Sequence, residues 1–211
     1  METLTRRERE RQTRKDEIVA AAERVFCQKG FEGASMDEIA KEAQFTKRTV
    51  YQYFLNKEDL FYAVRLKGRR QLFQYLKAAI ERGSTGFERI HLAAEAYYQF
   101  YRDHPDILRL MNYTEQIGAN EEANPRRQEL LQFGRDMFVE FAEVIEAGKA
   151  DGSIRDDLDA KIAAPAIAFV LNGFFHMLAE VGEAFTGILD LNPEGFVRFT
   201  LSLIDSALRP G

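Results

Sequence analysis

The sequence predicts an all-α fold of about nine helices. Apolar residues recur at intervals of three and four along most of the 211 positions, which is the spacing of one helix face. There are only 5 prolines, and the sequence contains no alternating strand pattern, internal repeat or low-complexity tract. Hydrophobic residues make up 45% of the chain and charged residues 30%, which excludes a disordered protein.

The first predicted helix covers roughly residues 14–29. Its apolar face consists of Ile18, Ala22, Val25 and Phe26. Gly30 is suited to end this helix because glycine adopts the left-handed backbone conformation without steric cost. We expect Phe31 to fold back onto the apolar face.

A short second helix is predicted at about 36–43. Ser35 and Glu38 have the spacing of a capping box, in which each side chain accepts a backbone N–H of the other residue. Asp37 adds negative charge to the first turn, where the helix dipole is positive. The small apolar face consists of Ile39, Ala40 and Ala43.

The third predicted helix, at about 47–53, has Thr46 as its N-cap, and Val50 and Phe54 point inward. Its other side is polar and consists of Lys47, Arg48, Thr49, Tyr51, Gln52 and Tyr53. A short helix that is apolar behind and carries donors in front is how a helix-turn-helix reads a DNA groove. The sequence therefore predicts a DNA-binding unit at residues 1–56.

Asn56 caps a fourth helix at about 57–82, which connects this unit to a larger helical domain at residues 57–211. The later helices are predicted at about 86–102, 105–117, 125–148, 158–181 and 194–208. Pro105 and Pro125 fit first-turn positions, where the missing N–H costs no helical hydrogen bond.

The net charge of −5 is unevenly distributed. Residues 1–57 have 12 basic and 10 acidic side chains, whereas the rest of the chain has 17 and 24. Six cations fall within the first 15 positions, which indicates either a DNA-facing basic arm or a solvated tail. The N-terminus has no apolar signal sequence, and the single Cys27 is compatible with a reducing cytoplasm.

Residues 162–179 form an uncharged and mostly apolar run of 18 positions. This length approaches that of a membrane span, but Pro165, Asn172 and His176 interrupt the run and acidic residues flank it. A helix that is apolar on all sides in a soluble protein is buried on all sides. We therefore expect a dimer through helices at about 158–181 and 194–208, no membrane partner, and a bend at Pro165.

The chain resembles the TetR family of transcriptional regulators over roughly residues 14–66. The resemblance rests on three segments, GFEGASMDEIAKEA (30–43), TKRTVYQYF (46–54) and NKEDL (56–60). It implies a homodimer that binds a palindromic double-stranded DNA operator through the N-terminal unit. It also implies a C-terminal domain that makes the dimer and often holds a ligand.

The resemblance further implies which side chains meet DNA. Those facing the operator would be Thr46, Lys47, Arg48, Thr49, Tyr51 and Tyr53, while Ser35 and Lys57 would touch phosphates. Arg48 can form two hydrogen bonds to guanine, Thr49 can contact a thymine methyl group, and Gln52 can pair with adenine. Tyr51, Tyr53 and Lys57 suit phosphate contacts that set the register, although the two tyrosines could instead pack within the unit.

The family often has glycine at the position of Gln44, in the turn between the second and third helices. We expect a positive φ there, which costs a residue with a side chain roughly 1 kcal/mol.

Aromatic residues at helical spacing in the C-terminal domain predict a mostly apolar ligand cavity, although most of them also suit ordinary core. The predicted ligand-binding residues are His91, Tyr98, Asn112, Tyr113, Gln116, Phe138, Asn172 and His176. The three histidines are far apart in the sequence, so neither a metal site nor a cofactor is predicted.

The sequence thus predicts a cytoplasmic homodimeric repressor that a small hydrophobic effector releases from its operator, by a pivot of helix 57–82 that changes the spacing of the two DNA-binding units. The alternative is a helix-turn-helix protein that acts architecturally or through protein partners, without an effector. No phosphate loop, nucleophile–base pair or metal cluster suggests an enzyme. The sequence does not identify the operator, the regulated genes or the effector, and it does not distinguish a repressor from an activator.

Overall fold

The structure, a computed structural model, describes residues 5–113 and 124–210. These residues form nine α-helices and no β-strand, which confirms the predicted all-α fold. The helices are α1 (Arg6–Gly33), α2 (Met36–Glu42), α3 (Lys47–Tyr51), α4 (Lys57–Ile80), α5 (Gly86–Asp103), α6 (Pro105–Asn112), α7 (Pro125–Ala150), α8 (Ala160–Ile188) and α9 (Pro193–Leu208).

The described residues fall into two compact units. The N-terminal unit contains residues 5–68, Tyr113 and 124–130, and the C-terminal unit contains 69–112 and 131–210. This division lies inside α4, whereas the sequence analysis placed the boundary at residue 57. The first turn of α7 also belongs to the N-terminal unit, although it is far away in the sequence.

The core of the N-terminal unit joins α1 to the helices that follow it. Ile18, Phe26, Ile39, Val50, Phe54, Leu60 and Phe61 are all at most 1% exposed. The ring of Phe26 meets that of Phe61 edge to face, with centroids 5.0 Å apart. Fully burying such a side chain contributes about 1.5–3 kcal/mol, so this core holds the short α2 and α3 in place.

Helix α1 starts eight residues earlier than predicted. Thr5 and Glu8 form a capping box, in which the Glu8 carboxylate accepts the Thr5 N–H at 2.7 Å and Thr5 Oγ1 accepts the Glu8 N–H at 3.3 Å. The basic N-terminal arm is therefore helical from Arg6 onward. The Thr-x-x-Glu pattern was visible in the sequence, but the apolar face that guided the prediction begins only at Ile18.

The other end of α1 agrees with the prediction. Gly30 has φ +70° and interrupts the helix, and Phe31 then turns back to become 4% exposed.

In the C-terminal unit, α8 packs against α5, α6 and α9. The core includes Phe100, Leu108, Ile145 and Phe175, which are all fully buried. Helix α8 continues to Ile188, seven residues beyond its predicted end, and carries Pro165 inside its first turns.

Much of α8 and α9 remains apolar on the outside. Part of α8, Ala160–Gly182, is long and apolar enough to cross a membrane, yet only 17% of its most apolar stretch is buried within the chain. The most exposed apolar side chains of the two helices are Ile162, Phe169, Val170, Met177, Ile188, Phe199 and Leu203. A single chain therefore leaves a large apolar face of α8 and α9 uncovered.

The start of α5 and the end of α7 touch backbone to backbone. A Cβ atom on Gly86 would lie 2.2 Å from the Cα atom of Gly148, and one on Gly148 would lie 2.5 Å from Cδ1 of Ile154. The loop after α7 also caps α5, because Asp151 accepts the Gly86 N–H at 2.8 Å and Ser153 accepts the Phe87 N–H at 3.0 Å. Hydrogen bonds from the Ser153 hydroxyl, the Gly86 N–H and the Ser153 N–H lower the pKa of Asp151, and the Ser153 hydroxyl is the main cause.

We predict that Gly86→Ala lowers the free energy of unfolding by roughly 3 kcal/mol, because the new methyl group overlaps the Gly148 backbone. Urea unfolding at a fixed protein concentration measures this loss. The matched control is Gly134→Ala in α7, where an added Cβ atom meets nothing within 4 Å. The control should gain about 0.5–1 kcal/mol through helix propensity, so equal losses in both variants would refute the close contact.

Candidate DNA-binding surface

The N-terminus of α2 is fixed by the predicted capping box. Ser35 Oγ accepts the Glu38 N–H at 3.3 Å, and the Glu38 carboxylate accepts the Ser35 N–H at 3.0 Å. Lys29 donates to the same carboxylate and, together with Ser35, lowers the pKa of Glu38. The Ser35 side chain, a predicted phosphate contact, therefore already holds the start of its helix.

The turn between α2 and α3 contains the expected left-handed residue. Gln44 has φ +59°, and Phe45 N–H closes the turn on the carbonyl oxygen of Ala40 at 2.9 Å. Because this turn sets the direction in which α3 leaves α2, the strained Gln44 conformation is part of how α3 is aimed.

Helix α3 is held from behind and exposed in front. Thr46 Oγ1 accepts the Thr49 N–H at 3.1 Å as the N-cap, and Val50 is fully buried. Arg48, Tyr51 and Gln52 are exposed on the opposite side. The helix ends at Tyr51, two residues before its predicted end, and Gln52 and Tyr53 continue in a turn.

Two cations of α3 differ in their surroundings. Lys47 Nζ lies 2.7 Å from Asp37, and this hydrogen bond raises the pKa of Lys47, although both groups are exposed. An exposed ion pair contributes about 0–1 kcal/mol, so Lys47 can exchange Asp37 for a phosphate at little cost. Arg48 has no hydrogen-bond or ion-pair partner among the described residues, so its guanidinium is available to an external acceptor.

The first turns of α1 lie beside the end of α3. They enclose a polar groove of about 500 Å³, which is lined by Arg7, Glu8, Glu10, Arg11, Arg14, Gln52 and Tyr53. The guanidinium of Arg11 lies 6.0 Å from the centre of the Tyr53 ring, within reach of a cation–π attraction. Three cations of the basic arm therefore adjoin two residues that the sequence analysis assigned to DNA.

Lys57 is placed differently from its predicted role. Its ammonium group donates to the carbonyl oxygens of Phe31 at 2.7 Å, Ala34 at 3.1 Å and Glu32 at 3.4 Å. It also lies 4.4 Å from the centre of the Phe31 ring. Because an ammonium has three protons, the predicted phosphate contact is not supported by this structure, in which Lys57 joins the end of α1 to the start of α4.

A buried ion pair lies directly behind α3. Asp59, in the first turn of α4, is only 3% exposed, and one of its carboxylate oxygens accepts the Leu55 N–H at 3.0 Å. Its other oxygen lies 2.7 Å from Nε of Arg126, in the first turn of α7. The Nε–H bond is not aligned with this oxygen, so the contact is an ion pair without a well-formed hydrogen bond.

The Arg126 guanidinium makes two further contacts with the end of the helix-turn-helix. It donates to the carbonyl oxygen of Tyr53 at 3.1 Å and lies 4.8 Å from the centre of the Phe54 ring. The sequence analysis missed this residue, because nothing in the local pattern of α7 distinguishes it from Arg127. Arg126 thus stabilises the backbone directly after α3, the helix that carries the exposed side chains.

Comparison with known proteins finds a family match for the helix-turn-helix. Residues 18–64, which contain α2, the turn and α3, match the family described as bacterial regulatory proteins, tetR family. The matched residues are the DNA-binding unit of a TetR-family regulator. The chain thus has the helix-turn-helix of a DNA-binding transcriptional regulator, followed by a C-terminal helical domain.

Relatives of this chain match beyond the helix-turn-helix. The transcriptional regulator YhgD of Bacillus subtilis is 29% identical over 143 residues, 67% of this chain and 72% of that protein. The transcriptional repressor NicS of Pseudomonas putida is 27% identical over 169 residues, 78% of each chain. FadR of Bacillus subtilis, solved in complex with stearoyl-CoA, has the same fold, with a TM-score of 0.68 at 21% identity over 91% of this chain and 98% of that one.

The predicted ligand-binding residues do not all lie together. In the C-terminal unit, Tyr98 stacks on Phe175 with ring centres 5.9 Å apart, and Asn172 Oδ1 accepts the Tyr97 hydroxyl at 2.8 Å. The nitrogen atoms Asn112 Nδ2 and His176 Nδ1 are buried without a hydrogen-bond partner among the described residues.

The other candidates are less suited to a cavity in that unit. His91 Nδ1 lies 2.9 Å from the Asp205 carboxylate, and Phe138 is partly buried on α7. The prediction for Tyr113 is corrected, because this residue lies in the N-terminal unit. Its ring packs edge to face on that of Phe61, with centroids 5.7 Å apart. Gln116 lies outside the described residues. Within the described ranges no group of three or more His, Cys, Asp or Glu side chains could hold a metal ion.

We predict that Arg126→Met destabilises the protein by about 3–5 kcal/mol, because it leaves the Asp59 carboxylate buried without a counter-ion. Chemical unfolding of the single variants and of the double variant Arg126→Met with Asp59→Asn measures the coupling. The double variant should recover part of the loss.

The control for this change is Arg135→Met, an exposed arginine on the same helix that bonds only to Gln132 among the described residues. It should change the stability by no more than about 0.5 kcal/mol. If Arg126→Met behaves like this control, the buried ion pair does not hold the unit together.

Proposed function

We propose that this TetR-family protein is a cytoplasmic homodimeric repressor, which a small hydrophobic ligand releases from a palindromic operator. The observation that carries the proposal is the position of Arg48. Its guanidinium is exposed and has no partner in the part of the chain that the structure describes, and the opposite face of its helix, at Val50, is completely buried. A cation held outward by a rigid base is suited to direct reading of guanine in the major groove.

The residues around Arg48 divide into two kinds of DNA contact. Thr49 and Gln52 are the further candidates for base edges, while Thr46, Lys47, Tyr51 and Tyr53 are candidates for phosphates. Ser35 adds a hydroxyl at the start of α2. The basic first turns of α1 extend this surface, because Arg7, Arg11 and Arg14 line the groove beside Gln52 and Tyr53.

The uncovered apolar face of α8 and α9 supports the homodimer. Phe169 is 70% exposed, and Phe199 is 63% exposed, which is costly for a solitary chain in water. A symmetric pairing through this face would bury both residues and place two DNA-binding units on one duplex. Two units related by a two-fold axis require a palindromic operator.

The C-terminal unit is the place for the effector. Its aromatic stack of Tyr97, Tyr98, Tyr101 and Phe175 offers an apolar surface beside buried polar groups. The similar fold of FadR, whose structure contains stearoyl-CoA, supports a ligand in this unit, and the relative NicS supports repression. To release DNA, the ligand must bind the non-binding state of the dimer more tightly.

Selection of bound sequences from random duplex DNA tests this proposal, and we predict a two-fold symmetric site. Arg48→Ala should weaken binding to that site by about 1–3 kcal/mol and relax the preference at one base pair in each half-site. The matched control is Arg135→Ala on α7, which should leave both affinity and preference unchanged. Equal weakening of the selected and a scrambled sequence by Arg48→Ala would refute base reading by Arg48.

We predict that Phe169→Glu converts the dimer into a monomer at micromolar concentration, because it places a charge in the apolar face of α8. Sedimentation equilibrium measures the mass of the particle. The control is Val139→Glu, which changes an equally apolar and 59% exposed residue of α7. A Phe169→Glu protein that stays dimeric, or a Val139→Glu protein that dissociates as readily, would place the interface elsewhere.

A further inference from the structure

The C-terminal unit contains an arginine whose Nε atom is buried and whose guanidinium has no counter-ion among the described residues. Arg69 lies on the part of α4 that belongs to this unit, and its Nε atom is buried without a hydrogen-bond partner among the described residues. No carboxylate of those residues forms an ion pair with it. Burial lowers the pKa of the Arg69 guanidinium, but an arginine keeps its charge at neutral pH.

The neighbouring hydroxyl cannot balance this charge. Tyr97 is close enough for its charge to affect the pKa of Arg69, but burial raises the pKa of Tyr97 far above its usual value. Tyr97 is therefore neutral, and it donates its proton to Asn172 Oδ1 at 2.8 Å. The groups that affect the guanidinium thus include a neutral Tyr–Asn pair and no carboxylate of the described residues.

Further unpaired nitrogen atoms lie in the same unit. His176 follows Asn172 by one turn on the same face of α8, and its Nδ1 is buried without a partner, as is Nδ2 of Asn112 on α6. The N-terminal unit differs, because the two buried atoms without a hydrogen bond among its described residues belong to Glu23 and Arg126, which both have ion-pair partners. Buried polar atoms without any partner are rare in folded proteins, and here they are three nitrogens in one unit.

An apolar surface adjoins these polar groups. The ring of Tyr97 stacks on that of Phe175 with centres 5.2 Å apart, and Tyr101 stacks on the same ring at 5.5 Å. Phe175 itself is completely buried and immediately precedes His176. A ligand that satisfies both surfaces must have an acceptor-rich, negatively charged group attached to an apolar body.

We propose that Arg69, together with Tyr97, Asn172 and His176, binds the oxyanion of an amphipathic ligand, whose apolar part packs on the aromatic stack. This inference rests on the ligand response proposed above and assigns the chemical class of the effector. The guanidinium supplies the charge and a planar pair of donors, which match a carboxylate or phosphate. The oxyanion of the ligand acts as the counter-ion of Arg69, which the described residues do not provide.

The first test needs no ligand. In delipidated protein, Arg69→Met should leave the melting temperature unchanged or raise it, because it removes a partly buried charge that has no partner among the described residues. The matched control is Arg126→Met, which removes a buried but paired arginine and should lower the melting temperature. If Arg69→Met lowers it as much as the control, Arg69 is held by a partner within the chain and the proposal is wrong.

The second test compares laurate, dodecyl phosphate and dodecanol, which share one apolar chain, by isothermal titration calorimetry. Wild type should bind an anionic probe at least about 10-fold more tightly than dodecanol. Arg69→Met should abolish this preference, and Arg69→Lys should keep part of it. The stronger of the two anionic probes distinguishes a carboxylate site from a phosphate site.

Anionic probes that bind no better than dodecanol, or an Arg69→Met protein that retains the preference, would overturn the proposal. Operator binding separates this failure from that of the proposed function. If dodecanol releases wild-type protein from the selected operator but the anionic probes do not, only the ligand class is wrong. If no operator is selected at all, the proposed function itself is wrong.

Discussion

The carboxylate of Asp59 is the group on which the N-terminal unit depends. It is almost completely buried, and it fixes the backbone between α3 and α4 through the Leu55 N–H. A buried carboxylate needs a counter-charge, and Arg126 supplies it from the first turn of α7. The same guanidinium holds the Tyr53 carbonyl, so the end of the DNA-reading segment is fixed from within the unit. The outward position of Arg48 follows from this support.

The sequence predicted the structural features that depend on contacts between residues close together in the chain. The capping box of Ser35, the left-handed Gln44 and the inward Val50 each depend on contacts within a few positions, and the structure confirms all three. The early start of α1 was also readable from Thr5 and Glu8, but it lacks an apolar face. The role of Arg126 could not be predicted, because its partner Asp59 lies 67 positions earlier. The neighbouring Arg127 is the same type of residue, so the sequence does not show which of the two is buried.

The C-terminal unit was harder to interpret from sequence. Aromatic spacing predicts a core, but it does not tell which polar side chains find partners inside it. His91 has Asp205, whereas His176 Nδ1 has none among the described residues, and the two histidines look alike in the sequence. Arg69 was not a candidate, because its place between Gly68 and Arg70 suggests one more exposed cation of a long helix. Only the packing of α4 reveals that its Nε is buried.

The contact between Gly86 and Gly148 constrains how the C-terminal unit can change shape. With no side chain between the two backbones, α5 and α7 cannot approach further there, and the bonds from Asp151 and Ser153 prevent their separation. The helices can therefore only rotate about this point. Tyr97 lies 11 residues along α5, about 16 Å away at the helical rise, so a rotation of about 5° moves its ring by roughly 1.5 Å. Any change of shape in this unit is thus concentrated at the aromatic end of α5.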